Sequence, residues 1–270
     1  MQNTQKNSGF SLPAAALSVL TAAQAEGTQV GVSARGMVIC GAMQAALLTL
    51  LSAVLYVGWQ RAGTAARKAG LFAASFWLLA QLCNTALQAQ AVCRQEFRSM
   101  ALVGLLPLLL WAGWNIAPGG WDAPARVLWW FIALGALVGI AGTAGQMHWA
   151  HLLTVDGVQL ARRPCVPLYA EYLAWPMLCP AAKPHRAAAL PWLAFLVQAG
   201  LACGMCLVFG AAAYPEQELL RVWNAGIFSR MDALLLLIWL TCAVFRIGFL
   251  CAAARMLWQQ AVQGRKGAAQ

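Results

Sequence analysis

Five long stretches of this chain contain no Asp, Glu, Lys or Arg, and they constrain its fold more than any other feature. Each is longer than the ~20 residues that a helix needs to cross the ~30 Å hydrocarbon core of a membrane. A sixth, Ala233 to Ala254, is interrupted only by Arg246. The uncharged stretches are Gly36 to Gln60, Ala69 to Cys93, Ser99 to Trp121, Val127 to Val155 and Ala187 to Pro215.

Lipid offers no hydrogen-bonding partner to the backbone, so a spanning segment must be a helix or a strand of a closed barrel. The alternating pattern of a barrel strand is not found in these stretches. Hydrophobic residues make up 61% of the chain and charged residues 10%, against about 25% charged in a soluble domain. The sequence therefore predicts an all-α, polytopic transmembrane helix bundle with six clear helices, in residues 36–258. A polar tail would follow in residues 259–270.

Two weaker apolar segments leave the helix count open at seven or eight. Pro164 to Pro180 is short and contains four prolines and Glu171, which is typical of a broken or re-entrant helix or of a segment on the membrane surface. Phe10 to Leu20 follows Lys6 and precedes Ala23-Gln24-Ala25. This arrangement fits either a cleaved signal peptide or an N-terminal arm within residues 1–35.

The net charge of +10 comes from 18 Lys and Arg against 8 Asp and Glu. Most of the basic residues fall in short connections between apolar stretches, where they set orientation and bind anionic lipid, so we expect no nucleic-acid partner. With six helices, the side that holds both termini has the excess of Lys and Arg, which predicts cytoplasmic termini. A crossing by Pro164 to Pro180 would make the two sides nearly equal.

Few side chains suggest chemistry of their own, and we predict no catalytic residue and no metal site. A two-haem bundle uses four axial histidines on facing helices, whereas this chain has only His148, His151 and His185, which argues against haem. Cys203 and Cys206 form a C-x-x-C inside an apolar stretch, and Cys165 and Cys179 adjoin prolines. These cysteines leave open a thiol-redox membrane carrier.

Ionisable groups at membrane depth are costly and indicate functional sites. Arg246 lies inside the last apolar stretch, Glu171 inside the broken segment, and Glu96 between Arg94 and Arg98 at the mouth of the second and third stretches. In the fourth stretch, Gly135, Gly139 and Gly142 share one helical face and predict close approach of another helix.

Several segments resemble those of one family. They are MVICGAMQAALLTLLSAVLYVGW with Gln44, RKAGLFAASFWLLAQL, CRQEFRSMALVG with Glu96, ARVLWWFIALGALVGI, and LLLLIWLTCAVFRIGFLCAA with Arg246 before glycine and phenylalanine. Together they are similar to helices of the membrane anchor subunit of the dimethyl sulfoxide reductase family, over about two thirds of the chain. Family anchors have eight helices, and their second helix ends in a histidine where this chain has Gln88 and its neighbours.

The resemblance implies a non-catalytic subunit of an oxidoreductase complex in the bacterial inner membrane. It would hold an iron–sulfur subunit and a molybdopterin catalytic subunit, and it would exchange electrons with menaquinol or ubiquinol without covalently bound cofactors. The quinol-binding residues implied are Glu96, Gln88, Arg94 and Arg246. A small-molecule transporter is the main alternative, because broken helices such as Pro164 to Pro180 mark substrate sites in transporters.

Overall fold

The computed structural model describes residues 9–26, 34–96, 101–153, 165–210 and 231–263. These residues form eight helices of nine residues or more. They are α1 (Leu12–Glu26), α2 (Ala34–Arg61), α3 (Thr64–Glu96), α4 (Ala101–Asn115), α5 (Asp122–Thr143), α6 (Ala170–Leu178), α7 (Leu190–Phe209) and α8 (Met231–Gln263). Short helical turns cover Pro118–Trp121, Ala144–Gln146, Ala150–Leu153 and Pro184–Ala187.

The all-α transmembrane bundle is confirmed in its class. Five helices are long and apolar enough to cross a membrane, namely α2, α3, α5, α7 and α8, together with the turns that flank α5 and α7. Helix α2 carries an exposed stripe of apolar side chains, made by Met43, Leu47, Leu50 and Val54. Exposure of such a stripe to water would be unfavourable, whereas contact with lipid is not. The chain is a multi-pass membrane protein.

The third predicted span is shorter than its apolar stretch suggested. Helix α4 ends at Asn115, and Pro118 starts a separate turn that ends at Trp121. At 15 residues α4 would be about 22 Å long, less than the hydrocarbon thickness. The fourth stretch also divides, because α5 ends at Thr143. At the C-terminal end α8 continues to Gln263, past the predicted boundary at Trp258.

Hydrogen bonds between helices give their relative directions. The Phe10 amide donates to the Leu178 carbonyl, and Ser18 pairs with Glu171, so α1 and α6 are antiparallel. Gln44 bonds to Val166, and Ser52 donates to the Tyr172 carbonyl, so α6 runs parallel to α2.

Hydrogen bonds also give the direction of the last helix, α8. Arg246 donates to Gln81, and Ser75 donates to the Ala254 carbonyl, so α8 is antiparallel to α3. Because α3 in turn reverses α2 through a two-residue connection, α1 begins at the end of the bundle where α8 finishes. We call this the terminal end, and the other the opposite end.

Two short helices, α1 and α6, occupy the centre of the bundle. Helix α1 packs against α5, α7 and α8 and also contacts α3 and α6. Its side chains Ala14, Leu17, Val19 and Ala23 are buried. The segment predicted as an arm or a leader thus contributes residues between Phe10 and Ala23 to the core.

Glycines set the closest helix approach at the crossing of α4 and α8. A Cβ atom added to Gly113 would lie 2.7 Å from the Gly248 carbonyl oxygen and 3.0 Å from Cys251 Cβ. Of the three glycines predicted to line a packing face of α5, Gly135 does lie against Leu235 and Ile238 of α8. The next one, Gly139, has no neighbour within 4 Å of its added Cβ.

Replacing Gly113 with alanine should therefore destabilise the protein, although alanine favours a helix by about 1 kcal/mol over glycine. The new methyl group meets backbone atoms, and overpacking of this kind costs about 1–3 kcal/mol. Thermal unfolding in detergent would measure the loss. Gly139→Ala is the matched control, and it should be neutral or slightly stabilising. Equal melting temperatures for the two variants would contradict the close crossing.

Candidate functional site

A buried arginine organises the centre of the bundle. Arg246 lies near the middle of α8, and its side chain is only 2% exposed. One terminal nitrogen donates to the Ser18 carbonyl oxygen at 3.0 Å, and the other donates to Gln81 Oε1 at 3.2 Å. The guanidinium carbon lies 5.3 Å from the centre of the Tyr169 ring, in cation–π contact.

The counter-ion of Arg246 is Glu171, in the first turn of α6. Glu171 Oε1 lies 3.3 Å from Arg246 Nη2 and accepts a 2.7 Å hydrogen bond from the Ser18 hydroxyl. The glutamate is 0% exposed. A carboxylate in the first turn of a helix is also stabilised by the helix dipole. We call Ser18, Gln81, Tyr169, Glu171 and Arg246 the central cluster.

The central cluster lies near mid-depth of the bundle, because Ser18, Gln81 and Arg246 are all near the middle of their helices. Charges at this depth are expensive, so they are paired and usually functional. Glu171 Oε2 and Arg246 Nε are buried without a hydrogen-bond partner among the described residues. Each ion thus keeps one unused hydrogen-bonding atom, an uncommon state for a buried group.

Helix α6 reaches this depth because the chain enters the bundle in extended form. Residues 165–169, which we call the inward stretch, precede α6, and the Val166 amide donates to Gln44 Oε1 of α2 at 2.9 Å. Further along, Trp175 Nε1 donates to Ser52 Oγ at 2.9 Å. These polar contacts to α2 hold a helix of only nine residues, with Pro176 inside it, against its neighbours.

Most other buried polar side chains donate hydrogen bonds to backbone carbonyl groups. Thr21 donates to the Leu17 carbonyl and Thr85 to the Gln81 carbonyl, four residues earlier in each case. Gln198 of α7 donates to the Ala23 carbonyl of α1. Side chains engaged in this way are not available to line a polar path, and the bond from Gln198 also joins α7 to α1.

The residues implied by the resemblance fall in two places. Arg246 is in the central cluster, whereas Gln88, Arg94 and Glu96 occupy the outer part of α3 toward the opposite end. Arg94 is 13 residues beyond Gln81, about 20 Å along the helix axis. Gln88 is half-buried, Arg94 is exposed, and Glu96 is the last residue of α3. The structure therefore does not bring Arg246 together with Arg94.

One face of α3 links the two places. Gln81, Asn84 and Gln88 are spaced i, i+3 and i+7, so they share this face. Asn84 is exposed on the bundle surface although it lies close to the middle of α3. An amide group facing the hydrocarbon is costly unless it has a polar partner. Ser18 was not among the site residues predicted from the sequence.

The cysteines of the thiol-redox interpretation are dispersed. Cys179 is buried after the end of α6, and Cys203 and Cys206 are on α7, near the opposite end. Cys206 Sγ lies 3.7 Å from the carbonyl oxygen of His151. His151 Nδ1 is 3.2 Å from the Leu207 carbonyl oxygen, so the histidine pair near the end of α5 is tied to the end of α7.

Comparison with known proteins adds no relative, since no family model, no curated protein and no solved structure matches this chain. The resemblance to the anchor family stays a prediction.

The central ion pair should show strong coupling in a double-mutant cycle. Glu171→Gln or Arg246→Met alone leaves an uncompensated buried partner and should lower the unfolding free energy by about 3–5 kcal/mol. The double variant should lose much less than the sum of the two, because no lone charge remains. Unfolding in detergent measures all three, with exposed Arg126→Met as a neutral control. Additive losses would contradict the pair.

Proposed function

We propose that this protein is the membrane anchor of a molybdopterin oxidoreductase complex in the bacterial inner membrane, and that it exchanges electrons between quinol and an iron–sulfur partner. The observation that carries the proposal is the sequence of polar groups along the outer half of α3, which continues from Asn84 through Gln88 to Arg94 and Glu96. Three of the four quinol-binding residues that the resemblance implies, Gln88, Arg94 and Glu96, belong to this part of the chain, whereas the fourth, Arg246, belongs to α8.

The depths of these groups suit an amphipathic quinol. If α3 is centred in the bilayer, Gln88 lies about 12 Å and Arg94 about 21 Å from its middle, on either side of the hydrocarbon boundary at ~15 Å. A quinol ring beside Gln88 would keep its isoprenoid tail in hydrocarbon. Its hydroxyl groups would reach amide and charged side chains near the interface, within reach of a partner docked at the opposite end.

In this function the chain itself would bind the quinol and accept a proton from it. Oxidation of a quinol releases two electrons and two protons, and the electrons would pass to the iron–sulfur partner. Gln88 would hydrogen-bond a quinol oxygen, and Glu96 at the helix end would accept a proton and pass it to water. Arg94, exposed near the end of α3, would attract the partner by charge. Arg246, engaged in the central cluster, would position α3 and would not touch the quinol.

Purification tests the complex directly. The protein isolated in mild detergent from its native membrane should bring with it an iron–sulfur subunit and a molybdenum-containing subunit, and the preparation should oxidise a quinol. Repeated isolation of this chain without either partner would overturn the proposal.

Within an active preparation, Gln88→Leu should raise the KM for quinol several-fold, because one good hydrogen bond is worth about 1 kcal/mol. Arg94→Gln should reduce quinol oxidation as well. Arg61→Gln is the matched control, since Arg61 is equally exposed but lies at the terminal end. Steady-state quinol oxidation measures all three. A loss with Arg61→Gln equal to that with Arg94→Gln would remove the assignment.

A small-molecule transporter is the second candidate, and the central cluster favours it. A mid-depth ion pair beside a short, proline-containing helix is an arrangement that transporters use for substrates and protons. Against it stands the use of most buried polar groups in helix packing. Uptake into proteoliposomes that is lost in Glu171→Gln, in a protein that still folds, would favour transport over anchoring.

A further inference from the structure

Two cysteines from separate parts of the chain meet near the opposite end. Cys40 is in the second turn of α2, and Cys165 begins the inward stretch. The Cys165 thiol lies close enough to the Cys40 thiol for the two groups to interact electrostatically. Cys165 was suspected from the sequence only for its neighbouring prolines, and Cys40 was not suspected.

The backbone on both sides of this contact is held in place. Cys165 Cβ lies 3.7 Å from the position that a Cβ on Gly41 would take. About one helical turn further along α2, Gln44 Oε1 accepts the Val166 amide at 2.9 Å. Two consecutive residues of the inward stretch thus rest against two consecutive turns of α2. Cys40 precedes Gly41 in α2, so the packing of Cys165 against Gly41 brings the two cysteines near each other, as a disulfide requires.

The two thiols differ in access. Cys165 is 2% exposed, whereas Cys40 is partly exposed on α2. A reagent approaching from outside would meet Cys40 first, and Cys165 would be protected until Cys40 had reacted. This arrangement of an accessible and a sheltered thiol is that of an attacking and a resolving cysteine.

We propose that Cys40 and Cys165 are a redox-convertible pair that closes to a disulfide when it meets a disulfide-class oxidant. The proposal does not rest on the quinol function. The oxidised pair would join α2 covalently to the inward stretch, six residues before Glu171 of the central cluster.

The reaction balances in two exchange steps. The Cys40 thiolate attacks one sulfur of the oxidant, breaks its S–S bond and releases one thiol, leaving a mixed disulfide on Cys40. Cys165 then loses its proton and attacks Cys40 Sγ, which breaks the mixed disulfide, forms the Cys40–Cys165 bond and releases the second thiol. The protein loses two electrons and two protons, and the oxidant gains both.

The test uses the full-length reduced protein in detergent and the apolar disulfide 2,2′-dithiodipyridine as oxidant. After reaction, remaining thiols are alkylated, the protein is digested, and peptides are identified by mass spectrometry. We expect a linked peptide pair containing Cys40 and Cys165, and its disappearance on reduction. In Cys165→Ser, Cys40 should remain as the stable thiopyridyl adduct. In Cys40→Ser, Cys165 should remain unmodified in the folded protein.

Exposed Cys83 on α3 supplies the control, because Cys83→Ser should leave the Cys40–Cys165 link unchanged. The wild-type linkage measurement requires no variant, so a poorly folding variant does not spoil the test. The proposal fails if wild-type Cys40 retains a stable adduct while Cys165 is alkylated only after denaturation. It also fails if oxidation links other cysteines and leaves this pair open.

Discussion

A guanidinium buried near the middle of a membrane bundle must find all of its partners inside the protein, and Arg246 finds them on three different segments. Leaving such a charge unpaired would cost several kcal/mol. Satisfying it requires the Ser18 carbonyl of α1, Gln81 of α3 and Glu171 of α6 to converge. Two short helices, α1 and α6, lie at the centre because they carry Ser18 and Glu171, two of the groups that Arg246 needs.

The long helices could be predicted from the sequence because hydrophobicity over twenty or more residues is a local property. The bounds of α2 and α8 lie within a few residues of their apolar stretches, apart from the C-terminal extension of α8. Helices α1 and α6 could not be assigned in the same way. Each is too short to span the hydrocarbon alone, and their stability comes from polar contacts such as the one between Ser18 and Glu171 that link residues far apart in the chain. Composition does not reveal such contacts.

The charged residues of the central cluster could be predicted from the sequence as single buried ions, but their pairing could not. Arg246 and Glu171 were each recognised as ions at membrane depth, and their opposite charges are what a buried pair requires. Nothing local in the sequence joins Glu171 to Arg246, since α7 and the connections around it lie between them.

The glycines of α5 were also predicted only in part. Gly135 contacts α8 as its spacing predicts, whereas a Cβ added to Gly139 on the same face would have no neighbour within 4 Å.

Arg246 also influences the outer half of α3, although it lies far from that part of the helix. Arg246 holds Gln81, and Gln88 lies two turns further along the same face of a continuous helix. A rotation of α3 by one residue would turn this face by about 100°. The contact between Arg246 and Gln81 resists that rotation, and so fixes the direction in which Asn84 and Gln88 project from the bundle. An arginine in this role sets the direction of side chains near the membrane boundary by fixing the rotation of a helix, and it does so without touching those side chains.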